Sequence, residues 1–150
     1  EAARWYRLAQ EQGYAQAQFN LAIMYNQGRG VMKNDKEAVR LCRLAAQQGC
    51  GEAQFNLGLK YDYGRNGVKK DDNKAARWYR LAAEQGLAQA QFQLARMYDQ
   101  GRGVMKNDKE AARWYRLAQE QGYAQAQFNL AIMYNQGRGV MKNDKEAVRL

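Results

Sequence analysis

The sequence predicts an all-α fold made by stacking helix pairs. Three observations predict it. Residues 1–41 and 110–150 are identical, at an offset of 109 residues. Within that long period lies a shorter one: 1–36, 37–73, 74–109 and 110–145 align as units of 36, 37, 36 and 36 residues, with a partial unit at 146–150. Each unit carries small and apolar residues at helical spacing twice over, with glycines between. A lone helix pair cannot bury such stripes, whereas stacked pairs can. The chain is therefore expected to form a single repeat domain over residues 1–150.

The first unit shows how each element arises. Ala2, Tyr6, Ala9 and Gly13 share one helical stripe, widened by Trp5 and Leu8. Gly13 is expected to end this first helix. A second helix is expected from about Ala15 to Gln27, with Ala17, Leu21, Tyr25 and Gly28 on one stripe and Phe19 and Ala22 beside it. Gly28-Arg29-Gly30 breaks that helix, and Val31 can return to the core. Asn34 then stands three residues before Glu37, a capping-box pattern that opens the next helix. Asn107 with Glu110 and Asn143 with Glu146 repeat it. The second unit differs: it has Asp71 and Lys74 at these places, and one extra residue in its Gly64-Arg65-Asn66-Gly67 turn.

Comparing the units shows what the stack demands. Ala17, Ala53, Ala90 and Ala126 are equivalent. So are Phe19, Phe55, Phe92 and Phe128; Leu21, Leu57, Leu94 and Leu130; and Tyr25, Tyr61, Tyr98 and Tyr134. Ile23, Leu59, Arg96 and Ile132 share one position, and a place that accepts Arg is expected near the surface. Small residues on facing stripes let helices approach closely, to about 8–10 Å between axes.

The pattern Ala2-x2-Trp5-Tyr6-x2-Ala9, Gln12-Gly13, Ala17-Gln18-x2-Leu21, Tyr25-x2-Gly28-x-Gly30-Val31 resembles the Sel-one-like repeat family, a relative of the tetratricopeptide repeats with units of this length. The match recurs along the whole chain. The resemblance implies an α-solenoid of antiparallel helix pairs in a right-handed superhelix, serving as a protein-interaction scaffold. It marks Trp5, Tyr6, Ala9, Gly13, Ala17, Leu21, Tyr25, Gly28 and Gly30 as the structural signature. This chain departs from the family where Ala22, Ala95 and Ala131 replace a frequent Gly, and where Met32, Lys69, Met105 and Met141 replace a frequent Pro. Cys42 and Cys50 have the eight-residue spacing of the family's disulfide-bridged branch. They lie four positions before the places that branch uses, here Ala46 and Gln54, so no bridge is carried over.

Composition excludes several chemistries. The chain contains no Ser, Thr, His or Pro. Hydroxyl nucleophiles of the Ser/Thr kind, His general bases and His metal ligands are thereby absent. No pair of carboxylates is marked out by an apolar setting, so no catalytic residue, metal site or cofactor is expected. Two cysteines do not make a disulfide scaffold, and both are expected as small packed side chains. No apolar run approaches the length of a membrane span. Without an initiator Met, the missing signal segment does not decide the compartment.

Net charge is +9, from 24 Lys and Arg against 15 Asp and Glu. Such a balance favours acidic partners. The excess is spread along the chain. It is greatest over 74–109, where seven basic and three acidic residues give +4.

One pattern could carry binding. The first helix of each unit holds two arginines three apart: Arg4 and Arg7, Arg40 and Arg43, Arg77 and Arg80, Arg113 and Arg116. If that helix lines a concave face, as the resemblance implies, the pairs form a ladder able to grip carboxylates or phosphates. Against this, Glu1 stands three before Arg4 and Glu11 four after Arg7, so local pairing could hold these side chains.

Two other patterns point to nucleic acid or phosphate and are weaker. The Gly-Arg-Gly-Val-Met-Lys-Asn loops at 28–34, 101–107 and 137–143 are glycine-rich and basic, but lack the Gly-Lys-Ser/Thr of a phosphate loop. The aromatic residues interleaved with Arg suggest base stacking, yet core packing already explains their period. Partners are thus expected to be proteins or peptides of acidic character rather than nucleic acid. A second expectation arises from the near-perfect repetition and the absence of capping units: an array or fibre built by end-to-end continuation of the 109-residue super-repeat, with further copies of the chain as partners.

Overall fold

The structure, a computed structural model, describes the backbone of residues 2–139 and the side chains of residues 13–139. Among the described residues there are seven helices and no strand. These are α1 (Ala2–Gln27), α2 (Asp35–Gln47), α3 (Gly51–Tyr63), α4 (Asp72–Glu84), α5 (Ala88–Gln100), α6 (Asp108–Glu120) and α7 (Ala124–Gln136). Two compact units divide the chain, Glu1–Asp71 and Asp72–Leu150. In the first, α2 packs against both α1 and α3. In the second, α4 packs on α5, α5 on α6 and α6 on α7. The calls on Asn143 and Glu146, and on the partial unit 146–150, fall outside the described residues.

The expected caps form. Asn34 is extended (φ −151°), and its Oδ1 accepts the Glu37 N–H at 3.0 Å. Asn107 repeats this with Glu110 at 3.1 Å. Only half of each capping box closes, because the glutamate side chains turn to arginines instead. Three second helices, α3, α5 and α7, end at Gly64, Gly101 and Gly137 in the left-handed region, as glycine permits. Each loop then folds back onto its own helix: the Asn34 N–H reaches Tyr25 O at 3.0 Å, and the Asn107 N–H reaches Tyr98 O at 3.0 Å.

Most of the repeated positions form the core, although Phe55, Tyr25 and Tyr98 are half-buried and Phe128 is 62% exposed. Ala53, Ala90 and Ala126 are fully buried, as are Leu57, Leu94 and Leu130. Tyr79 and Tyr115 are the largest wholly buried side chains. Burying an aromatic or leucine side chain contributes about 1.5–3 kcal/mol. Phe92 lies between Tyr115 and Tyr123, with ring centroids 5.8 and 5.1 Å away. Arg96, Ile23 and Leu59 are half-buried and Ile132 is exposed, in line with a position that tolerates Arg.

The first unit departs from expectation. α1 runs unbroken through Gly13, which does not end a helix. Ala17 and Leu21 are consequently exposed, Leu21 by 38%, although their equivalents are core. The cause is tertiary, because residues 9–15 and 118–124 have the same sequence. At the second place Gly122 adopts φ +85° and the chain turns. There, Gln121 Nε2 donates to Gly86 O at 2.8 Å and Gln91 Oε1 at 2.9 Å, both from the preceding helix pair. Continuing a helix through one glycine costs only about 1 kcal/mol.

The second glycine of each Gly-Arg-Gly turn is a contact residue. A Cβ on Gly103 would overlap the Asp72 carbonyl, with its carbon 2.6 Å away, and one on Gly139 would overlap that of Asp108. These glycines let the loop lie against the start of the first helix of the same pair. Beside Gly30 the same space is an open hollow of about 400 Å³, lined by Asn20, Ile23, Met24 and Arg29. A Cβ on Gly30 would meet only the flexible Met24 Cε, at 3.2 Å. Gly103→Ala is therefore expected to destabilise the chain by about 2–4 kcal/mol, through overlap and a left-handed backbone. Gly30→Ala should cost about 1 kcal/mol, from the backbone alone. Urea unfolding of both variants measures the difference, and equal losses would contradict it.

Candidate functional site

The arginine ladder is the pattern singled out from the sequence, and the structure describes six of its members. Side chains of Arg4 and Arg7 lie outside the described residues, as do those of Trp5, Tyr6 and Ala9. The remaining arginines divide into two kinds. Arg40 is exposed and is held by Glu37, with Nε 2.8 Å from Oε1. That carboxylate raises the Arg40 pKa further, first by hydrogen bonding and then by charge. Arg113 repeats the arrangement: its Nη2 is 3.0 Å from Glu110 Oε2, and its guanidinium lies 4.5 Å from the centroid of the Trp114 ring. The local pairing expected from spacing therefore forms at both places.

The second arginine of each pair faces its partner helix. Arg43 Nη1 donates to the Tyr61 hydroxyl at 2.9 Å and stands 5.7 Å from that ring's centroid. Arg80 donates likewise to Tyr98, and Arg116 to Tyr134, with centroid distances of 5.5 and 5.9 Å. Each bond joins the first helix of a unit to the second. The tyrosines were placed only on the core stripe by sequence reasoning. Their signal was available as a constant 18-residue separation from the arginine.

In two of the Gly-Arg-Gly loops the arginine is engaged with aspartates, whereas Arg29 of the first loop is exposed and donates to Gln27 Oε1 at 3.4 Å. Arg102 Nη2 lies 3.2 Å from Asp72 Oδ1. Arg138 pairs with Asp108 at 3.1 Å and also with Asp99. Lys106 Nζ bonds the same Asp108 at 2.8 Å. The Lys106 and Arg138 hydrogen bonds hold the Asp108 carboxyl below its ordinary pKa. Asp99 also accepts from the Tyr115 hydroxyl at 3.3 Å, while Asn129 Nδ2 donates to that hydroxyl at 3.2 Å. Burial is the main reason the Tyr115 pKa is pushed up to about 12.

The unit 37–73 has a different interior. Cys42 replaces the tyrosine found at Tyr79 and Tyr115, and Lys60 replaces the methionine found at Met97 and Met133. Between α1, α2 and α3 this leaves a cavity of about 20 Å³, lined in part by Asn26, Cys42, Asn56 and Lys60. The Cys42 thiol points to Ala53 O at 3.4 Å and to Asn56 Oδ1 at 3.6 Å. Lys60 is buried, and its Nζ donates to Asn66 Oδ1 at 3.1 Å. Asn66 is the residue inserted in this turn, at φ +57°, and its Nδ2 reaches Asn26 Oδ1 at 3.2 Å. Desolvation lowers the Lys60 pKa and pushes the Cys42 thiol up to about 11. Cys42 and Cys50 are both free thiols; Cys42 is buried, whereas Cys50 is half-buried at the start of α3. Among the described residues, no group of acidic, Cys or His side chains is arranged to hold a metal ion. No helix among them is long and apolar enough to cross a membrane.

Comparison with known proteins follows this geometry. The family model for the Sel1 repeat matches at residues 1–14, 15–50, 51–87, 88–123 and 124–150. A Sel1 repeat protein from Oxalobacter formigenes is 41% identical, with a TM-score of 0.85 over 90% of this chain and 55% of its own. The antigen c5321 of uropathogenic Escherichia coli, which displays an SLR fold, is 40% identical, with a TM-score of 0.85 over 99% of this chain and 32% of its own. Cysteine-rich protein B of Helicobacter pylori is 25% identical, with a TM-score of 0.63 over 80% of this chain and 92% of its own. The chain thus spans about half and about a third of the first two. No curated protein matches the sequence. Seven helices and these likenesses define an all-α repeat solenoid.

The buried thiol provides a check on the interior of unit 37–73. At about pH 8, a thiol with its pKa near 11 carries roughly a hundredth of the thiolate of one near 9. Iodoacetamide is therefore expected to alkylate Cys42 at least about 100-fold more slowly than free cysteine. Mass spectrometry of timed digests reads the rate, and equally fast labelling would contradict the buried setting.

Proposed function

Because the chain belongs to the Sel1 repeat family, we propose that it is a non-enzymatic helical-repeat scaffold for protein–protein interaction, acting as one repeat domain over residues 1–150. The observation that carries this is the contrast between core and outer face. Alanine, leucine and tyrosine positions are spent on packing, while arginines recur on the first helix of every unit. The candidate contact residues are Arg4, Arg7, Arg40, Arg43, Arg77, Arg80, Arg113 and Arg116.

The partner is a protein or peptide carrying carboxylates, which a guanidinium can meet with two parallel hydrogen bonds. Tyrosine hydroxyls orient the inner arginines without neutralising them, as Arg43 with Tyr61 illustrates. Serine and threonine nucleophiles and histidine bases are missing from the sequence, in keeping with a binding role. Phosphate capture by the loops of Arg102 and Arg138 is disfavoured, because both arginines are engaged with aspartates. No observation among the described residues favours an end-to-end array.

Replacing Arg77 and Arg80 together by alanine is expected to weaken capture of protein partners by the immobilised chain about tenfold, from one exposed and one half-buried charged contact. Helicity by circular dichroism should persist. Unchanged capture by a folded variant would remove the arginines from the proposal.

A further inference from the structure

Residues 37–73 lack a hydroxyl that the copy at 110–145 uses. In that copy the Tyr115 hydroxyl joins three helices. It donates to Asp99 Oδ2 on α5 at 3.3 Å and accepts from Asn129 Nδ2 on α7 at 3.2 Å. The equivalent places hold Asn26 on α1, Cys42 on α2 and Asn56 on α3. Both outer partners keep hydrogen-bonding side chains, but the phenol between them is gone. The Cys42 thiol does not bridge them; it points to Ala53 O and Asn56 Oδ1, at 3.4 and 3.6 Å. The space is not refilled: a cavity of about 20 Å³ lies here, lined in part by Asn26, Cys42, Asn56 and Lys60.

The bonds left open fit one small molecule. Lys60 stands where Met133 does and has three protons to give. Among the described residues only Asn66 Oδ1 takes one, at 3.1 Å. Burial makes each unmet proton costly. Asn56 offers its Nδ2, since its Oδ1 faces the Cys42 thiol. Asn26 Oδ1 accepts from Asn66 Nδ2 at 3.2 Å and keeps a second lone pair. A water molecule needs a cavity of about 10–15 Å³ and two to four polar partners, and both conditions are met. A halide ion would suit the two donors but has no proton to offer the Asn26 oxygen. We infer that this cavity is the binding site of one buried water molecule, which accepts from Lys60 Nζ and Asn56 Nδ2 and donates to Asn26 Oδ1. The water takes the place of the Tyr115 hydroxyl, with an asparagine donor on one side and an acceptor on the other. Its third bond, from Lys60, solvates an ammonium that has no counterpart in the copy. The exchanges of tyrosine for cysteine and of methionine for lysine together build one hydration site.

A high-resolution crystal structure of the full chain tests the site directly. Density for one water is expected within about 2.7–3.2 Å of Lys60 Nζ, Asn56 Nδ2 and Asn26 Oδ1. In solution, oxygen-17 relaxation dispersion counts the water molecules that stay bound. Cys42→Tyr combined with Lys60→Met restores the pair found at 110–145, and this variant should hold one bound water fewer than the parent chain. The parent crystal structure decides the site even where the variant does not fold. An empty cavity in the parent would overturn the inference. So would an anomalous bromide peak at the site in soaked crystals, or an unchanged count of bound waters in the folded variant.

Discussion

A pair of glutamines ties the turn of one helix pair to the helix pair before it. Gln91 is buried, and its Nε2 donates to the Ala83 carbonyl at 3.3 Å, at the end of α4. Its Oε1 accepts from Gln121 of the next pair's turn at 2.9 Å. Gln54 bonds Ala46 O in the same way, at 3.1 Å, and Gln48 reaches Gln18 Oε1 at 3.1 Å. One amide thus caps a helix end and receives the neighbouring turn. Leaving such a buried donor unmatched would cost about 1–3 kcal/mol, so the arrangement is strongly specified. Gly122 turns the chain, whereas at Gly13, with the same surrounding sequence, the helix runs on.

That dependence explains what was legible in the sequence. The period, the helix pairs, the caps at Asn34 and Asn107 and the buried Ala, Leu and Tyr positions follow from local spacing and composition. The fate of Gly13 does not, because residues 9–15 and 118–124 are indistinguishable as text. Only the packing around them differs. Exposure of Ala17 and Leu21 follows from the same cause. A core position in a stacked repeat is core only when the adjoining helix is folded against it.

The arginines show a second limit. Spacing named Glu1 with Arg4, and the equivalent i to i+3 contacts form at Glu37–Arg40 and Glu110–Arg113. It did not reveal that Arg43, Arg80 and Arg116 reach across to tyrosines on the partner helix. Those contacts depend on how two helices of one pair lie together, which a single-helix pattern cannot encode. The hydroxyl fixes the guanidinium in place and leaves its charge intact. An arginine held in this way has less rotamer entropy left to lose on contact.

Variation between units then acquires meaning according to depth. In the interior of 37–73, changes come as a set: Cys42 for tyrosine, Lys60 for methionine, and the inserted Asn66 that accepts from Lys60. A buried ammonium needs its acceptor, so these substitutions are bound to one another. On the outer face of α4 a single lysine for glutamate disturbs no packing, and it reverses the sign of the group next to Arg77. A core change must be compensated within the unit, whereas an exposed one leaves the packing intact.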